Sequence, residues 1–249
     1  MLFRYADKLC AFVSMWLFFF LQTALIFAQE NIITVGIQYK PVYTIDFLNT
    51  KAEAVIQNGV NFSVGLHSGY AAGMVIRRGI TDTYSIEGGI NYVKRTYSVN
   101  ISEGNFSSES TFRIIGYEIP LSALIYIRLS EKFYMNASLG IAADMFASNT
   151  TTSGDYYTTY SLRKSVINAG VIGNLGWEFR TENAGYFYLG TSYHNPFSDI
   201  YLTRIEYDNN NIKEAVELPL SGTYFTLDVR YFFHEDPIKK QRKPVNDEE

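Results

Sequence analysis

The chain alternates between apolar and polar residues. From 32 to 43, Ile33, Val35, Ile37 and Tyr39 fall on one parity and Thr34, Gly36, Gln38 and Lys40 on the other. Side chains of a β-strand point alternately to opposite faces, so this parity predicts a strand with one apolar and one polar face. The pattern recurs within 62–77, where Tyr70, Ala72, Met74 and Ile76 oppose Gly69, Ala71, Gly73 and Arg77. Tyr84, Ile86, Gly88, Ile90 and Tyr92 oppose Ser85, Glu87, Gly89 and Asn91. Within 112–128, Tyr117, Ile119, Leu121, Ala123, Ile125 and Ile127 oppose Glu118, Ser122, Tyr126 and Arg128. Phe133, Met135, Ala137, Leu139 and Ile141 oppose Tyr134, Asn136, Ser138, Gly140 and Asp144. Ile167, Ala169, Val171, Leu175, Trp177 and Phe179 oppose Asn168, Gly170, Asn174, Glu178 and Arg180. A less regular run from 186 to about 204 carries Pro196, which marks a bulge or bend. In the last run, 223–233, Thr223, Phe225, Leu227, Val229, Tyr231 and Phe233 oppose Tyr224, Thr226, Asp228 and Arg230. These runs make about eight strands, and no stretch after residue 28 has a helical period.

The connections alternate in length. Short turns fall at Gly79, Ser130 and Asn183, and long loops are expected at 46–59, 102–110, 148–159 and 207–217. Aromatic residues bunch at the ends of the last run, as in the girdles of transmembrane barrels. The polar parity carries Arg, Glu, Asp and Asn on successive strands, which a closed apolar core could not accept cheaply. The expected fold is therefore all-β: an eight-stranded antiparallel up-and-down transmembrane β-barrel, apolar outside and polar inside. A soluble lipocalin-like barrel would reverse that polarity. With both ends of the barrel in the periplasm, the short turns lie there and the long loops outside the cell.

The first 28 residues read as an address. Arg4 and Lys8 precede an apolar run from Leu9 to Leu21, and Ala28 is a small residue suited to cleavage before Gln29. This predicts a signal peptide over 1–28, a barrel over 29–233 and a charged, disordered periplasmic tail over 234–249. Charged residues make up 18% and aromatics 16%, charge-poor and aromatic-rich for a soluble domain. The net charge of -4, with no basic stripe, argues against nucleic acid as a partner. Cys10 is the only cysteine and lies in the leader, so the mature chain can form no internal disulfide and no thiolate zinc site.

A barrel of eight strands is just wide enough for side chains to fill it. Placing the polar parity inside gathers Arg77, Glu87, Glu118, Arg128, Asp144, Glu178, Arg180, Asp228 and Arg230, with Lys40, into one lumen charge network. The signs nearly cancel, which suits a plug of paired charges better than a selective pore. Arg77, Arg128, Arg180 and Arg230 all sit near the periplasmic ends of their strands. A sharper reading makes this network a gate. Among catalytic candidates, His194, Ser198 and Asp199 invite comparison with barrel lipid A deacylases. Their spacing does not establish the mutual reach a triad needs, so His194 is expected as an interface or loop residue. No cofactor, no metal site and no enzyme activity are expected. Tyr156, Tyr157 and Tyr160, beside Ser and Thr, offer adaptable contact area on the outer loops.

At Gly116-Tyr117-Glu118-Ile119-Pro120-Leu121, after Gly89-Ile90-Asn91-Tyr92, the chain resembles the porin-like outer-membrane β-barrel family of Bacteroidetes. The stretch from Tyr193 to Tyr201 is similar to that family's penultimate strand. The resemblance implies an eight-stranded barrel of OmpA- or OmpX-like size, and the family includes the PorT-like component of the type IX secretion system. It also implies an assembly signal at Tyr231 and Phe233, read by the barrel assembly machinery, although the tail after Phe233 makes that signal internal. The expected function is a structural or interaction role in the outer membrane, in contact with its lipid and with an envelope protein or surface ligand. The alternatives are a small gated pore and a barrel enzyme acting on lipid A.

Overall fold

The computed structural model describes residues 33–44, 52–104, 106–209 and 212–233. The leader 1–28 and the tail 234–249 lie outside the described residues. In chain order the strands are β1 Ile33–Tyr43, β2 Glu53–Gln57, β3 Val60–Gly79, β4 Tyr84–Glu103, β5 Phe106–Arg128, β6 Phe133–Phe146, β7 Thr150–Gly154, β8 Tyr157–Arg163, β9 Ile167–Arg180, β10 Tyr186–Pro196, β11 Tyr201–Asn209, β12 Ile212–Leu220 and β13 Tyr224–Phe232. Eight of them close a ring in the order β1-β13-β10-β9-β6-β5-β4-β3, with β1 returning to β3. Ile37 lies opposite Tyr231 on one side and opposite Met74 on the other, and both pairings are antiparallel. Closure leaves no free edge in the ring, so its backbone groups are satisfied within the protein, as a span through lipid demands.

The predicted parities hold around this ring. Ile37, Leu121, Leu139 and Leu189 face outward and are at least half exposed, while Gln38, Glu87, Asn136 and Asp228 face inward and are buried. Aromatic rings bound the outward band. Tyr39, Tyr70, Tyr92 and Tyr117 follow one another across β1, β3, β4 and β5 at 5.9, 6.2 and 6.1 Å, and Phe225 continues the upper girdle between Tyr43 and Tyr193. Phe187, Tyr231 and Phe233 mark the lower one, with ring spacings of 5.2 and 5.3 Å. From Phe225 to Phe233 a strand advances about 27 Å at ~3.4 Å per residue, which a tilt of roughly 40° shortens to about 21 Å. That is close to the height of an outer-membrane barrel's apolar band.

The long connections depart from the expected loops. The 46–59 loop contains β2, paired with β3 from Glu53↔Val64 to Gln57↔Val60. The 102–110 loop is the tip of one continuous hairpin, because β4 and β5 stay paired up to Glu103↔Phe106 and turn through Gly104 at φ 55°. The 148–159 loop contains β7 and the start of β8, and the 207–217 loop contains the end of β11 and most of β12. The run from 186 to 204 is two strands, since β10 stops at Pro196 and β11 begins in another sheet at Tyr201. Alternation is the reason. Tyr201, Thr203, Ile205 and Tyr207 are buried while Arg204, Glu206 and Asp208 are exposed, a half-buried strand hidden in Asn- and Ser-rich surroundings.

β7, β8, β11 and β12 form a four-stranded sheet, in the order β12-β11-β8-β7. It packs on the part of β3, β4 and β5 that outgrows the ring. Phe62, Val99, Ile101 and Ile114 from the barrel wall meet Tyr157, Ile205, Tyr207 and Leu218 from the sheet in one buried apolar cluster. The sheet's edges are tied down as well: Gln57 Nε2 and Asn58 Nδ2 donate to Glu214 at 2.5 and 2.6 Å, and Thr150 Oγ1 donates to Arg113 O at 3.3 Å. Tyr207 donates its hydroxyl to Glu103 Oε2 at 2.5 Å, and burial beside that carboxylate pushes the hydroxyl's pKa above its ordinary value. The result is a two-layered head over the end of the barrel opposite the short turns.

Candidate functional site

Among the described residues, the lumen holds two charge clusters, stacked along the barrel. The one near the short turns is built on Arg77 of β3. Its Nη1 donates to Glu178 Oε2 at 2.5 Å, and its Nε and Nη2 donate to Glu87 Oε2 at 3.1 and 2.9 Å. Arg230 of β13 donates to Glu87 Oε1 at 2.5 Å and to Asp228 Oδ2 at 2.6 Å. Asp228 also accepts from Thr226, Ser192 and Asn174 at 2.5, 2.6 and 3.1 Å, with Lys40 Nζ 3.5 Å away. Arg180 reaches Glu178 Oε1 through Nε at 2.7 Å. Arg suits this position because its planar fork bonds two carboxylates at once. The network ties β1, β3, β4, β9, β10 and β13 together across the lumen.

Aromatic rings fill the space between the charges. The Arg77 guanidinium sits 4.0 Å from the centre of Phe232, and that of Arg230 4.7 Å from Tyr188. Strand parity aims both rings inward, and glycines opposite leave room for them. A side chain at Gly36 would come within 2.8 Å of Phe232, and one at Gly176 or Gly190 would collide with the Tyr188 hydroxyl.

The second cluster lies nearer the head. His194 of β10 sits between two carboxylates, with Nε2 2.9 Å from Asp144 Oδ2 and Nδ1 2.9 Å from Glu118 Oε2. The Nδ1 contact is at ion-pair distance but is not aligned for a hydrogen bond. The imidazole stacks on Tyr224 at 4.8 Å, and the Tyr224 hydroxyl donates to Glu118 Oε2 at 2.6 Å. Glu118 Oε1 accepts from Asn91 at 2.8 Å, and Gln38 donates to Asn91 at 2.6 Å. Arg95 completes the group, 3.7 Å from Asp144 and 4.6 Å from the centre of the Tyr224 ring. The donor atoms of Glu118, Asp144 and His194 lie within 4.8 Å of one another, a spacing that could hold a cation. In this arrangement, however, Arg95 already brings positive charge to Asp144, and Tyr224 and Asn91 donate to the two oxygens of Glu118, so protein groups serve both acids.

The single expected network is thus two. Arg77, Glu87, Glu178, Arg180, Asp228 and Arg230 come together in the first cluster, and Glu118 and Asp144 belong to the second. Arg128 joins neither. It ends β5, where the wall gives way to the turn, and is exposed, with Nε donating to Ser130 O at 3.3 Å. His194 is not the interface or loop residue expected from its spacing, because its parity on β10 aims it into the lumen, where it is 1% exposed. No triad forms with its expected neighbours. Ser198 Oγ donates to Asn168 Oδ1 at 3.2 Å, and Asp199 pairs with Lys164 at 2.5 Å. Arg95 is the lumen cation that the motifs passed over, whereas Tyr224 already stands on the polar parity of the last run. Arg95 shares the parity of Glu87 and Asn91, so continuing that alternation beyond Tyr92 would have found it. Tyr231 and Phe233 lie on the lipid side of the lower girdle, where the Tyr231 hydroxyl donates to Ala184 O at 2.8 Å.

A closed ring with an apolar exterior and a charged lumen specifies the setting, and the sequence agrees: residues 27–202 match the model of the outer membrane protein beta-barrel domain family. The chain belongs to this family. Its fold is like that of the outer membrane protein OprG from Pseudomonas aeruginosa, with a TM-score of 0.52 at 14% identity over 83% of this chain and 98% of that one. The outer membrane protein AlkL, solved in DMPC lipid bilayers, aligns with a TM-score of 0.45 at 11% identity over 84% of this chain and 94% of that one. No curated protein matches the chain in sequence. As a member of the family it is an integral protein of the outer membrane, and the apolar band between its two girdles is its lipid-facing surface.

Proposed function

We propose that this barrel is closed to solutes, acts without catalysis, and serves to hold its two-layered head at the cell surface as an interaction platform. The observation that carries this reading is the head itself. A pore needs an open outer mouth, whereas here Phe62, Ile101, Tyr201, Ile205 and Leu220 pack over it with no more than 3% exposure each. Below them the two charge clusters occupy the lumen. The head's outer face is suited to contact. Tyr156 is 57% exposed at the tip of the β7–β8 hairpin, whose two-residue turn holds it at φ 65°. Tyr156 borders a groove of about 690 Å³ over the sheet, which also takes in Arg204, Glu206 and Lys213. Tyr160 is exposed as well, but Tyr157 is buried in the head and gives no contact surface.

The placement of Asn91 against Glu118 supports the finer kinship. The two quoted motifs are adjacent on β4 and β5 and joined by a 2.8 Å hydrogen bond. They favour a place among the porin-like barrels of Bacteroidetes. Tyr231 and Phe233 would be read during insertion by the barrel assembly machinery. Cysteine substitution tests the display reading, because the native Cys10 lies in the leader. In intact cells a membrane-impermeant maleimide is expected to label Tyr160→Cys and Lys213→Cys, and to label Glu131→Cys in a short turn only after permeabilisation. Labelling of Glu131→Cys alone in intact cells would overturn the orientation and the platform with it.

A further inference from the structure

The short-turn mouth opens into a cavity of about 400 Å³ whose lining includes Arg77, Arg128, Arg180, Asp82, Tyr126 and Tyr134. We propose that this cavity is a binding site for the carboxylate groups of a periplasmic ligand, held by Arg180, Arg128 and the Tyr126 hydroxyl. Three observations lead there.

The first is an orphaned donor. Tyr126 is 7% exposed, yet its hydroxyl has no hydrogen-bond partner among the described residues. Buried polar atoms are nearly always paired, so this one calls for a ligand or a role. Its surroundings select the sign of that ligand. The Arg77 and Arg180 guanidiniums lie 5.5 and 5.0 Å from the Tyr126 ring centre, and an acceptor placed at the hydroxyl would sit in their field.

The second is spare donor capacity. Arg180 serves Glu178 through Nε, while its guanidinium lies 4.1 Å from the centre of Tyr134 and its side chain keeps 32% exposure. A guanidinium has five N–H donors in a fixed fork that matches a carboxylate. Arg128, outside both lumen clusters, adds a second exposed guanidinium to the same lining.

The third is the charge count. Lys40, Arg77, Arg180, Arg230 and Arg128 face Glu87, Glu178, Asp228 and the turn residue Asp82, five cations against four anions. The surplus cation lies at the mouth. The cavity size suits a small ligand or the tip of a larger one, and the tyrosines around Arg180 offer apolar walls to its carbon skeleton. The carboxylate could belong to a free organic acid or to an acidic residue of a peptide.

The test uses the full chain in detergent micelles, titrated by calorimetry with succinate, with the tripeptide Ala-Glu-Ala and with inorganic phosphate. Succinate or the peptide is expected to bind and phosphate to bind at least tenfold more weakly. The stronger of the first two identifies the source of the carboxylate. Arg180→Gln and Arg128→Gln are each expected to weaken binding about tenfold, the worth of one charge-assisted bond. Tyr126→Phe separates binding from structure, because it removes an unpaired hydroxyl. It should weaken binding several-fold while leaving the barrel's urea midpoint unchanged or higher. Absence of binding by both carboxylates, equal binding of phosphate, or unchanged affinity in all three variants would each overturn the proposal.

Discussion

Arg77→Ala is expected to cost the barrel about 3–5 kcal/mol, the usual penalty for removing one partner of a buried ion pair. Arg77 is 5% exposed and gives three hydrogen bonds to two carboxylates on different strands. Without it, Glu87 keeps Arg230 and Glu178 keeps Arg180, but Glu178 loses its 2.5 Å tie across the lumen to β3, and the cavity left beside Phe232 is lined by acids. The check is the urea midpoint at which the compact, fast-migrating gel band of the unboiled protein disappears. A large drop is expected for Arg77→Ala and a smaller one for Arg77→Lys, which keeps the charge and loses the fork. An unchanged midpoint in Arg77→Ala would mean that the first cluster contributes nothing to holding the ring together.

The second large effect is confined to the head. Ile205 is fully buried in the apolar cluster between the two sheets, and Ile205→Asp places a carboxylate there with no partner. Such a burial costs at least about 3 kcal/mol, more than a peripheral four-stranded sheet can absorb. The ring below makes none of its ladder bonds with β11, so the expected outcome is selective: protease cuts within 148–165 and 198–222 while the compact gel band persists. Loss of the compact band together with the head would show that the two parts fold as one unit.

Much of this architecture is legible along the chain because the lipid-facing and lumen-facing parities are chemically opposite. Ile, Leu and Tyr alternate with Glu, Asn and Arg, and a slip of one residue would put charges into lipid. The head is harder to read for the same reason. On β8 the buried residues are Tyr157, Thr159 and Ser161, and Ser161 shares a hydrogen bond with Thr203 at 3.1 Å. Hydroxyl residues on a buried face look like a wet loop until their partners are known. The lumen clusters stand between these cases. Parity puts Glu87, Asp228 and Arg230 inside, but parity does not give height along the axis. Strand stagger in the closed ring separates Glu118 and Asp144 from Glu178, and it brings His194 to them from β10.

The role of the head as a platform requires a sealed barrel. Planar-bilayer recording of the purified full chain tests it most directly, with an open porin measured in the same bilayer as the standard. A flat trace is expected at both polarities, because the head covers the outer mouth and the two charge clusters fill the lumen below it. Reproducible conductance steps from the wild-type chain would contradict it, and would return the network of Arg77, Glu87 and Arg230 to the role of a gate.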